Sequence, residues 1–228
     1  FNRQKFHREF GELLITCDDK NYWRRQSFPY YKANRRKARD SSELDWSAIF
    51  NALNKIRDEL KEFFPYKVIQ IDTCEADDII GTIVHKEGKE LNVGEPILIL
   101  SGDHDFKQLH KYANVKQYDP TRKRWISHSN PNQYLAEHIL KGDAGDGVPN
   151  VLSPDNTFVL GIRQRPVTKK RMLDFRNKSM IDLTQIPATI KETILERYDA
   201  ENPKDRSQLL NYFIKNKLRN LMESISEF

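Results

Sequence analysis

We predict an α/β fold with a mostly parallel, twisted β-sheet and helices on both of its faces, followed by a C-terminal helical domain. Short apolar runs alternate with segments of helical periodicity over residues 13–141, which is typical of parallel strands joined by crossover helices. The run Pro96–Leu100 is apolar throughout, as strands buried on both faces usually are. Residues 209–225 instead repeat apolar side chains at helical spacing. This change of pattern predicts a sheet domain at 1–129 and a helical domain at 130–228.

The predicted strands are four short apolar runs: Leu13–Cys17, Val68–Ile71, Pro96–Leu100 and Val115–Tyr118. The predicted helices between and after them are Trp46–Phe63, Glu75–Lys86, Phe106–His110 and Pro131–Lys141. Asp45 and Asn130 immediately precede two of these helices and have side chains that cap helix N-termini. We also expect a helix at the start of the chain and one long amphipathic helix at residues 209–225. Residues 150–180 have little periodicity and predict no regular element.

The composition is that of a globular protein with a charged surface, because 38% of the 228 residues are hydrophobic and 31% are charged. No apolar stretch has the length of a membrane span or the features of a signal peptide. The two cysteines, Cys17 and Cys74, form no CxxC pair, so a zinc site is not indicated and a reducing compartment is expected. We therefore expect a cytoplasmic protein with no membrane partner.

The net charge of +5 is concentrated in short segments. Between Trp23 and Arg39 the chain has seven basic residues and no acidic one, and Tyr30 and Tyr31 lie among them. Aromatic rings offer stacking faces to unpaired bases, while Arg and Lys neutralise phosphates. The alternative is a solvated charged loop, which explains most runs of charge. A second basic run, Arg163–Arg171, adds to the expectation of a polyanionic partner.

Seven acidic side chains in four short clusters predict a metal centre. These residues are Asp18, Glu75, Asp77, Asp103, Asp105, Asp143 and Asp146. Three of the clusters follow predicted strands, and the carboxyl ends of the strands of an open α/β sheet share one crevice. So many carboxylates stay ionised together only around cations, and an all-oxygen ligand set suits Mg²⁺ or Mn²⁺. For any single cluster a helix N-cap is at least as good an explanation, but for four clusters together we favour the metal centre.

Two further features agree with phosphodiester chemistry. Two cations about 4 Å apart can bind the attacking and leaving oxygens of a phosphoryl displacement, and Lys32 or Arg24 could stabilise the charge that develops on the phosphate. The glycine-rich segment Leu140–Pro149 is either a simple helix stop or a turn whose backbone amides approach a phosphate. We predict structural or solvent-facing roles for four histidines, namely His85, His104, His110 and His138.

Four motifs in this order resemble those of the 5′-nuclease superfamily, which includes flap endonucleases, the 5′-nuclease domain of bacterial DNA polymerase I and phage 5′-exonucleases. The motifs are YYKANR at Tyr30–Arg35, EADD at Glu75–Asp78, SGDHDFKQL at Ser101–Leu109 and LKGDAGDGVP at Leu140–Pro149. The resemblance covers nearly the whole chain, is weakest over residues 150–205, and is greatest to the T-even phage ribonuclease H branch.

The resemblance implies roles for particular residues. Asp18, Glu75 and Asp77 would serve a first metal site, and Asp103, Asp105 and Asp146 a second one with Asp143 close by. Either Asp77 or Asp103 would lie between the two sites. Lys32 and Arg24 would be the catalytic basic pair that contacts the scissile phosphate, within an arch or bridge region at residues 20–45. Contacts with nucleic acid would come from Arg25, Tyr30, Tyr31, Arg35, Arg36, Gly145, Gly147, Lys169 and Lys170.

The resemblance also implies an activity and partners. The expected cofactor is a pair of Mg²⁺ ions, which Mn²⁺ could replace. The expected activity is 5′-3′ exonuclease and flap endonuclease cleavage, with ribonuclease H-type removal of RNA primers from lagging-strand fragments. Substrates would be DNA and RNA–DNA duplexes with 5′ ends or flaps. We expect a monomer in the host-cell cytoplasm, with a single-strand DNA-binding protein as a further partner of the C-terminal domain.

Three departures from the family pattern add expectations. The family has a metal-binding Asp on a first strand, so we expect a segment with an apolar strand ending in Asp ahead of Phe1. In the family the glycine-rich turn begins a helix–three-turn–helix element that binds duplex phosphates, but here Val151–Asp155 follows it instead of a second glycine turn. Compared with the pattern of the T-even phage branch, the sequence is abruptly shortened at residues 172–181, so we expect that part of the chain is missing there.

Two alternatives stay open at this point. The first is a protein that binds branched DNA without cutting it, which the lack of a first-strand Asp favours. The second is a PIN-type single-strand ribonuclease, which would have no helix–three-turn–helix element and no preference for a duplex junction.

Overall fold

The structure is a computed structural model of the chain, and it describes residues 2–89, 94–167, 175–200 and 206–228. Strands and helices alternate in the first part: α1 (Asn2–Phe10), β1 (Leu14–Cys17), α2 (Trp23–Ser27), α3 (Ala33–Asp40), α4 (Trp46–Phe63), β2 (Lys67–Gln70), α5 (Ala76–Glu87), β3 (Ile97–Leu100), a 3₁₀ helix (Asp105–Lys111), β4 (Val115–Asp119), β5 (Arg124–Ile126) and α6 (Pro131–Lys141). The C-terminal part is helical: α7 (Phe175–Ile181), a 3₁₀ helix (Leu183–Gln185), α8 (Ala188–Asp199), α9 (Ser207–Lys215), α10 (Arg219–Met222) and a last 3₁₀ helix (Ile225–Glu227).

The strands form two small sheets over the described residues, where the sequence predicts one. β1 and β2 are parallel, with Leu14 opposite Lys67, and β3 and β4 are parallel, with Ile97 opposite Val115. The parallel pairing of the predicted strands is therefore confirmed. The edge strand β5 is antiparallel to β4 and was not predicted, because three residues are too few to establish an alternating pattern.

Helices cover both faces of the β1–β2 pair, as predicted. Because successive side chains of a strand point to opposite faces, the adjacent residues Val68 and Ile69 of β2 enter different cores. Ile69 packs in a buried cluster with residues of α5 and with Ile194 of α8, whereas Val68 packs with Leu209 and Phe213 of α9. The C-terminal helices thus share their cores with the first strands, and the division of the chain at 129/130 stays a prediction.

The helices with clear caps have the predicted bounds, whereas the prediction of one long C-terminal helix is wrong. Asp45 accepts a hydrogen bond from the backbone N–H of Ala48 at the start of α4, and Asn130 accepts one from Gln133 at the start of α6. The predicted helix at residues 209–225 is instead divided into α9, α10 and a 3₁₀ turn. Lys217 has a φ of 56°, and a residue in this left-handed region ends a right-handed helix.

The segment after α6 consists of turns. Residues 142–167, all of which the structure describes, form turns and one isolated bridge and no helix. The second helix of the predicted helix–three-turn–helix element is therefore not within that range. The predicted abrupt join at residues 172–181 lies partly outside the described residues. In the described ranges, no helix combines the length and the apolar character needed to cross a bilayer.

Candidate metal centre and nucleic-acid interface

Six of the seven predicted metal-ligating carboxylates line one open cavity of about 420 Å³. They are Asp18, Asp77, Asp103, Asp105, Asp143 and Asp146. Lys32, Arg35, Ala76 and Gly145 complete the lining. The fold thus brings together carboxylates that extend from residue 18 to residue 146 in the sequence.

The strand ends and the start of α5 position the first group of carboxylates. Asp18 directly follows β1, and its Oδ1 accepts a hydrogen bond from the backbone N–H of Ala76 at 2.7 Å. Ala76 is the first residue of α5, whose first turn also contains Asp77. The N-terminal end of a helix favours negative charge because its backbone N–H groups and dipole point towards it. β1 and α5 therefore present Asp18 and Asp77 to the same cavity.

A tight turn positions the last two carboxylates. Asp143 and Val148 exchange two backbone hydrogen bonds of 2.8 and 2.7 Å, and the backbone N–H of Asp146 donates to Asp143 Oδ1 at 3.0 Å. Gly142 enters the turn with a φ of +70°, and a Cβ there would lie 2.3 Å from the carbonyl oxygen of Val148. A side chain at position 142 would therefore break the turn that places Asp143 and Asp146.

The electrostatics of the cavity fit a cation. Burial raises the pKa of Asp77 well above its usual range, and the charges of Asp103 and Asp105 raise it further. Burial likewise raises the pKa of Asp105 to about 7, whereas the contact with the His138 imidazole lowers the pKa of Asp143. Carboxylates that resist ionising together are stabilised by a divalent cation, and this oxygen-rich set suits Mg²⁺ or Mn²⁺.

Glu75 lies behind the cavity in a network of cationic and hydroxyl groups. Arg24 Nη1 donates to Glu75 Oε2 at 2.9 Å, and Lys32 Nζ donates to Glu75 Oε1. Arg24 Nη2 also lies 2.8 Å from Asp78 Oδ1, and the Arg24 side chain is only 3% exposed. Arg24 is thus buried, paired with two carboxylates and absent from the lining of the cavity, so the structure does not place it where contact with a phosphate was expected.

Lys32 is also buried and paired with Glu75, but unlike Arg24 it lines the cavity. Burial opposes its charge, but the nearby carboxylates of Asp146 and Glu75 raise its pKa overall. Its backbone N–H donates to the carbonyl oxygen of Asp146 at 2.7 Å, and its φ of 54° is left-handed. A Cβ on Gly147 would lie 3.1 Å from the carbonyl oxygen of Tyr30. The 30–32 segment thus docks closely on the glycine-rich turn.

The aromatic residues of the basic segment differ in exposure. The Tyr31 ring is 3% exposed, and its hydroxyl donates to Glu75 Oε2 at 2.9 Å and to Asp146 Oδ2 at 2.8 Å as alternative acceptors. The expected contact of the Tyr31 ring with a base is therefore corrected, since its faces are packed inside the protein. Tyr30 is partly exposed and packs edge-on against Phe28.

One of the three exposed arginines predicted to contact nucleic acid lines the cavity. Arg35 is exposed, and its Nη2 lies 2.5 Å from Asp146 Oδ1. Arg25 and Arg36 are also exposed, on α2 and α3, and neither lines the cavity. Lys169 and Lys170 lie outside the described residues, so no position is assigned to them.

Sequence reasoning did not assign His138 to the site. Its Nδ1 lies 3.4 Å from Asp105 Oδ1 and its Nε2 lies 3.5 Å from Asp143 Oδ2. The sequence did contain a signal, because His138 is in the last turn of the helix that leads into the glycine-rich segment. A side chain there lies close to the turn that carries Asp143.

Convergent carboxylates beside cationic side chains on an α/β fold define a metal-dependent phosphodiester hydrolase. Residues 4–138 match the family described as 5′-3′ exonuclease, N-terminal resolvase-like domain, and residues 168–228 match the family described as T4 RNase H, C terminal. The chain therefore belongs to the 5′-3′ exonuclease family and is a nuclease.

Proteins of this family with similar sequences come from a phage and from bacteria. Ribonuclease H of Enterobacteria phage T4 is 35% identical over 243 residues, which cover 94% of this chain and 79% of that protein. The 5′-3′ exonuclease of Buchnera aphidicola is 30% identical over 158 residues, 64% of this chain and 50% of that protein. Flap endonuclease Xni of Shewanella sp. is 25% identical over 155 residues, 64% and 55% of the two chains.

Solved structures of phage T5 proteins have a similar fold. The T5 D15 protein co-crystallised with metal ions superposes with a TM-score of 0.62 at 18% identity, over 87% of this chain and 91% of that one. The T5 D15 flap endonuclease in a complex with DNA and metal ions superposes with a TM-score of 0.61, also at 18% identity, over 87% and 89%. At this level of identity the likeness establishes the fold.

Proposed function

We propose that the protein is a Mg²⁺-dependent 5′-nuclease that hydrolyses phosphodiester bonds near 5′ ends and at 5′ flaps. The observation that carries this proposal is the convergence of six carboxylates in one cavity that Lys32 also lines. Relatives named ribonuclease H, 5′-3′ exonuclease and flap endonuclease support it. The proposed task is removal of RNA primers and adjacent DNA from lagging-strand fragments, by a monomer in the host-cell cytoplasm.

The proposed cofactor is a pair of Mg²⁺ ions, for which Mn²⁺ could substitute. Asp18 and Asp77, with Glu75 behind them, would hold the first ion, and Asp103, Asp105, Asp143 and Asp146 the second. Such ions would lower the pKa of a bound water molecule and neutralise negative charge on the phosphate. The raised pKa values of Asp77 and Asp105 support this assignment. The metal ions in the related T5 structures also support it.

The chain's own cations would act on the substrate backbone. Lys32 lines the cavity with its charge retained, so we assign to it the stabilisation of charge on the scissile phosphate. For Arg24 we propose a positioning role, in which it fixes Glu75 and Asp78 at the base of α5. Further proposed contacts with nucleic acid are Arg25, Tyr30, Arg35, Arg36, Gly145, Gly147, Lys169 and Lys170.

The proposed substrates are DNA and RNA–DNA duplexes with a 5′ end or flap. The DNA complex of the related T5 flap endonuclease supports a DNA substrate. A single-strand DNA-binding protein is a proposed partner of the C-terminal helices. The exposed apolar side chains of Leu210 and Ile214 on α9 and of Leu221 on α10 are compatible with such a contact.

The test is cleavage of a 5′-labelled flap duplex with Mg²⁺, with product lengths determined on a sequencing gel. We expect short 5′ products from the flap duplex, and little cleavage of the same labelled strand without its complement. Asp77→Asn, purified in parallel, controls for contaminating nucleases.

Two results would favour the alternatives. Flap binding without cleavage in either Mg²⁺ or Mn²⁺ would favour a non-cleaving protein that binds branched DNA. Equal cleavage of the unpaired strand would favour a PIN-type single-strand ribonuclease.

A further inference from the structure

His138 lies between two of the cavity carboxylates and has no part in the function proposed above. One nitrogen lies 3.4 Å from Asp105 Oδ1 and the other 3.5 Å from Asp143 Oδ2. One atom from each of the three side chains can be chosen so that all lie within 4.8 Å of one another. His138 does not itself line the cavity, but both of its carboxylate neighbours do. The imidazole therefore reaches the second half of the acidic centre from α6.

The distances argue against a simple hydrogen-bonded bridge. Charge-assisted N–H···O bonds between an imidazolium and a carboxylate are about 2.7–2.9 Å long, so both contacts of His138 are longer than this. Its Nδ1 is buried and has no hydrogen-bond partner among the described residues, an arrangement that native proteins usually avoid. Ligands about 2.1 Å from a shared cation lie roughly 3.0–3.4 Å apart. An imidazole binds one ion through one nitrogen, and the 3.4 Å between Nδ1 and Asp105 Oδ1 is the spacing expected of two ligands that share an ion. The other nitrogen, Nε2, would then face the Asp143 carboxylate, as the second nitrogen of a metal-bound imidazole usually does.

The neighbours of His138 restrict its orientation. The ring of Tyr134, one helical turn earlier, lies 5.6 Å from the His138 ring, and the His138 side chain is 16% exposed. A confined side chain loses less rotamer freedom when it binds an ion, so its nitrogen is a pre-organised donor.

We propose that His138 supplies an imidazole ligand to the second cation, and that this half of the centre, which still accepts Mg²⁺, consequently has a higher affinity for Mn²⁺. The inference rests on the proposed function, since it adds a ligand to the same two-cation centre. Imidazole suits transition-metal cations, whereas Mg²⁺ is held almost entirely by oxygen. Asp105 and Asp143 supply the negative charge that either ion requires, so the nitrogen acts on selectivity between the ions.

The test is pulsed electron paramagnetic resonance of the full-length protein loaded with Mn²⁺ alone. We expect a ¹⁴N coupling from a directly bound imidazole, which His138→Gln removes and the control His128→Gln keeps. His128 is a matched control, because its ring contacts the same Tyr134 at 5.1 Å. Competition titrations should give a preference for Mn²⁺ over Mg²⁺ that falls roughly tenfold in His138→Gln. Circular dichroism establishes that each variant is folded.

The outcomes separate this inference from the proposed function. Mn²⁺ binding with no ¹⁴N coupling in the wild-type protein would overturn the role of His138 and leave the carboxylate centre in place. A coupling that persists in folded His138→Gln would also overturn it. No measurable binding of Mn²⁺ or Mg²⁺ would overturn the two-cation centre itself and the inference with it.

Discussion

Replacing Arg24 by Met should lower the free energy of unfolding, because the partners of Arg24 are buried groups of the protein. We expect it to remove no direct contact with the substrate. Arg24 Nη1 and Nη2 lie 2.9 Å from Glu75 and 2.8 Å from Asp78, and Nε donates to the carbonyl oxygen of Met180 at 2.9 Å. Removing one partner of a buried ion pair costs about 3–5 kcal/mol, because it leaves an uncompensated charge. Glu75 keeps its bonds to Tyr31 and Lys32, so we expect the lower end, about 3 kcal/mol.

That loss is large enough to measure by two methods. For a chain of this size, about 3 kcal/mol corresponds to a fall in Tm of roughly 6–12 °C and to a lower midpoint of urea unfolding. The matched control is Arg25→Met, on the same helix but exposed, for which we expect a change within about 0.5 kcal/mol.

The reasoning would be refuted by equal stability of the two variants together with a slow chemical step in folded Arg24→Met. Such a result would indicate that Arg24 contacts the scissile phosphate. Single-turnover rates at saturating flap substrate, measured well below the Tm of both variants, make this comparison.

Two further predictions concern Lys32 and a buried histidine. Lys32→Ala should lower the single-turnover rate more than it weakens substrate affinity, because the Lys32 charge acts on the charge that develops on the phosphate. The exposed control Arg36→Ala should mainly weaken affinity. An unchanged rate with weaker affinity would make Lys32 an ordinary phosphate contact. Burial lowers the pKa of His85 to about 4, and the ring is hydrogen-bonded to Tyr112. As the pH falls, the unfolded chain therefore protonates His85 at a higher pH than the folded chain does. The stability contributed by neutral His85 is present above about pH 6.5 and is lost as the pH falls towards 4. Partial solvent exposure reduces this effect to about 1 kcal/mol between pH 7 and pH 5. Urea unfolding at both pH values should give a smaller loss for His85→Gln than for the wild type and His128→Gln, and identical losses would contradict the assignment.

The convergence of carboxylates followed from topology that the sequence itself reveals. Asp18 comes directly after β1, and Asp103 lies shortly after β3, so both reach the carboxyl ends of parallel strands. Apolar periodicity and capping residues similarly gave the bounds of α4 and α6. These features depend on neighbours in sequence or on one general rule of sheet packing, which is why they could be predicted.

The features that were mispredicted depend on partners distant in sequence. A run of basic residues does not reveal which of them is neutralised, and the partners of Arg24 at Glu75 and Asp78 lie on another helix. The burial of the Tyr31 ring depends in the same way on Val148, Met180 and Ile181, which pack with it in one core cluster. The helix is interrupted at Lys217, a residue other than glycine with a left-handed backbone conformation. The local sequence provides no signal for that conformation.

The central claim is that the cavity carboxylates hold the catalytic cations and are not needed to bind the duplex. The most direct measurement compares flap cleavage and duplex affinity in Asp77→Asn and Asp103→Asn. Asp72→Asn is the control, because Asp72 is exposed at the end of β2 and outside the cavity. We predict that cleavage falls roughly 100-fold or more in both cavity variants, with duplex affinity unchanged or higher because one negative charge has been removed. Cleavage within a few-fold of wild type, or affinity lost in parallel with cleavage, would contradict the account.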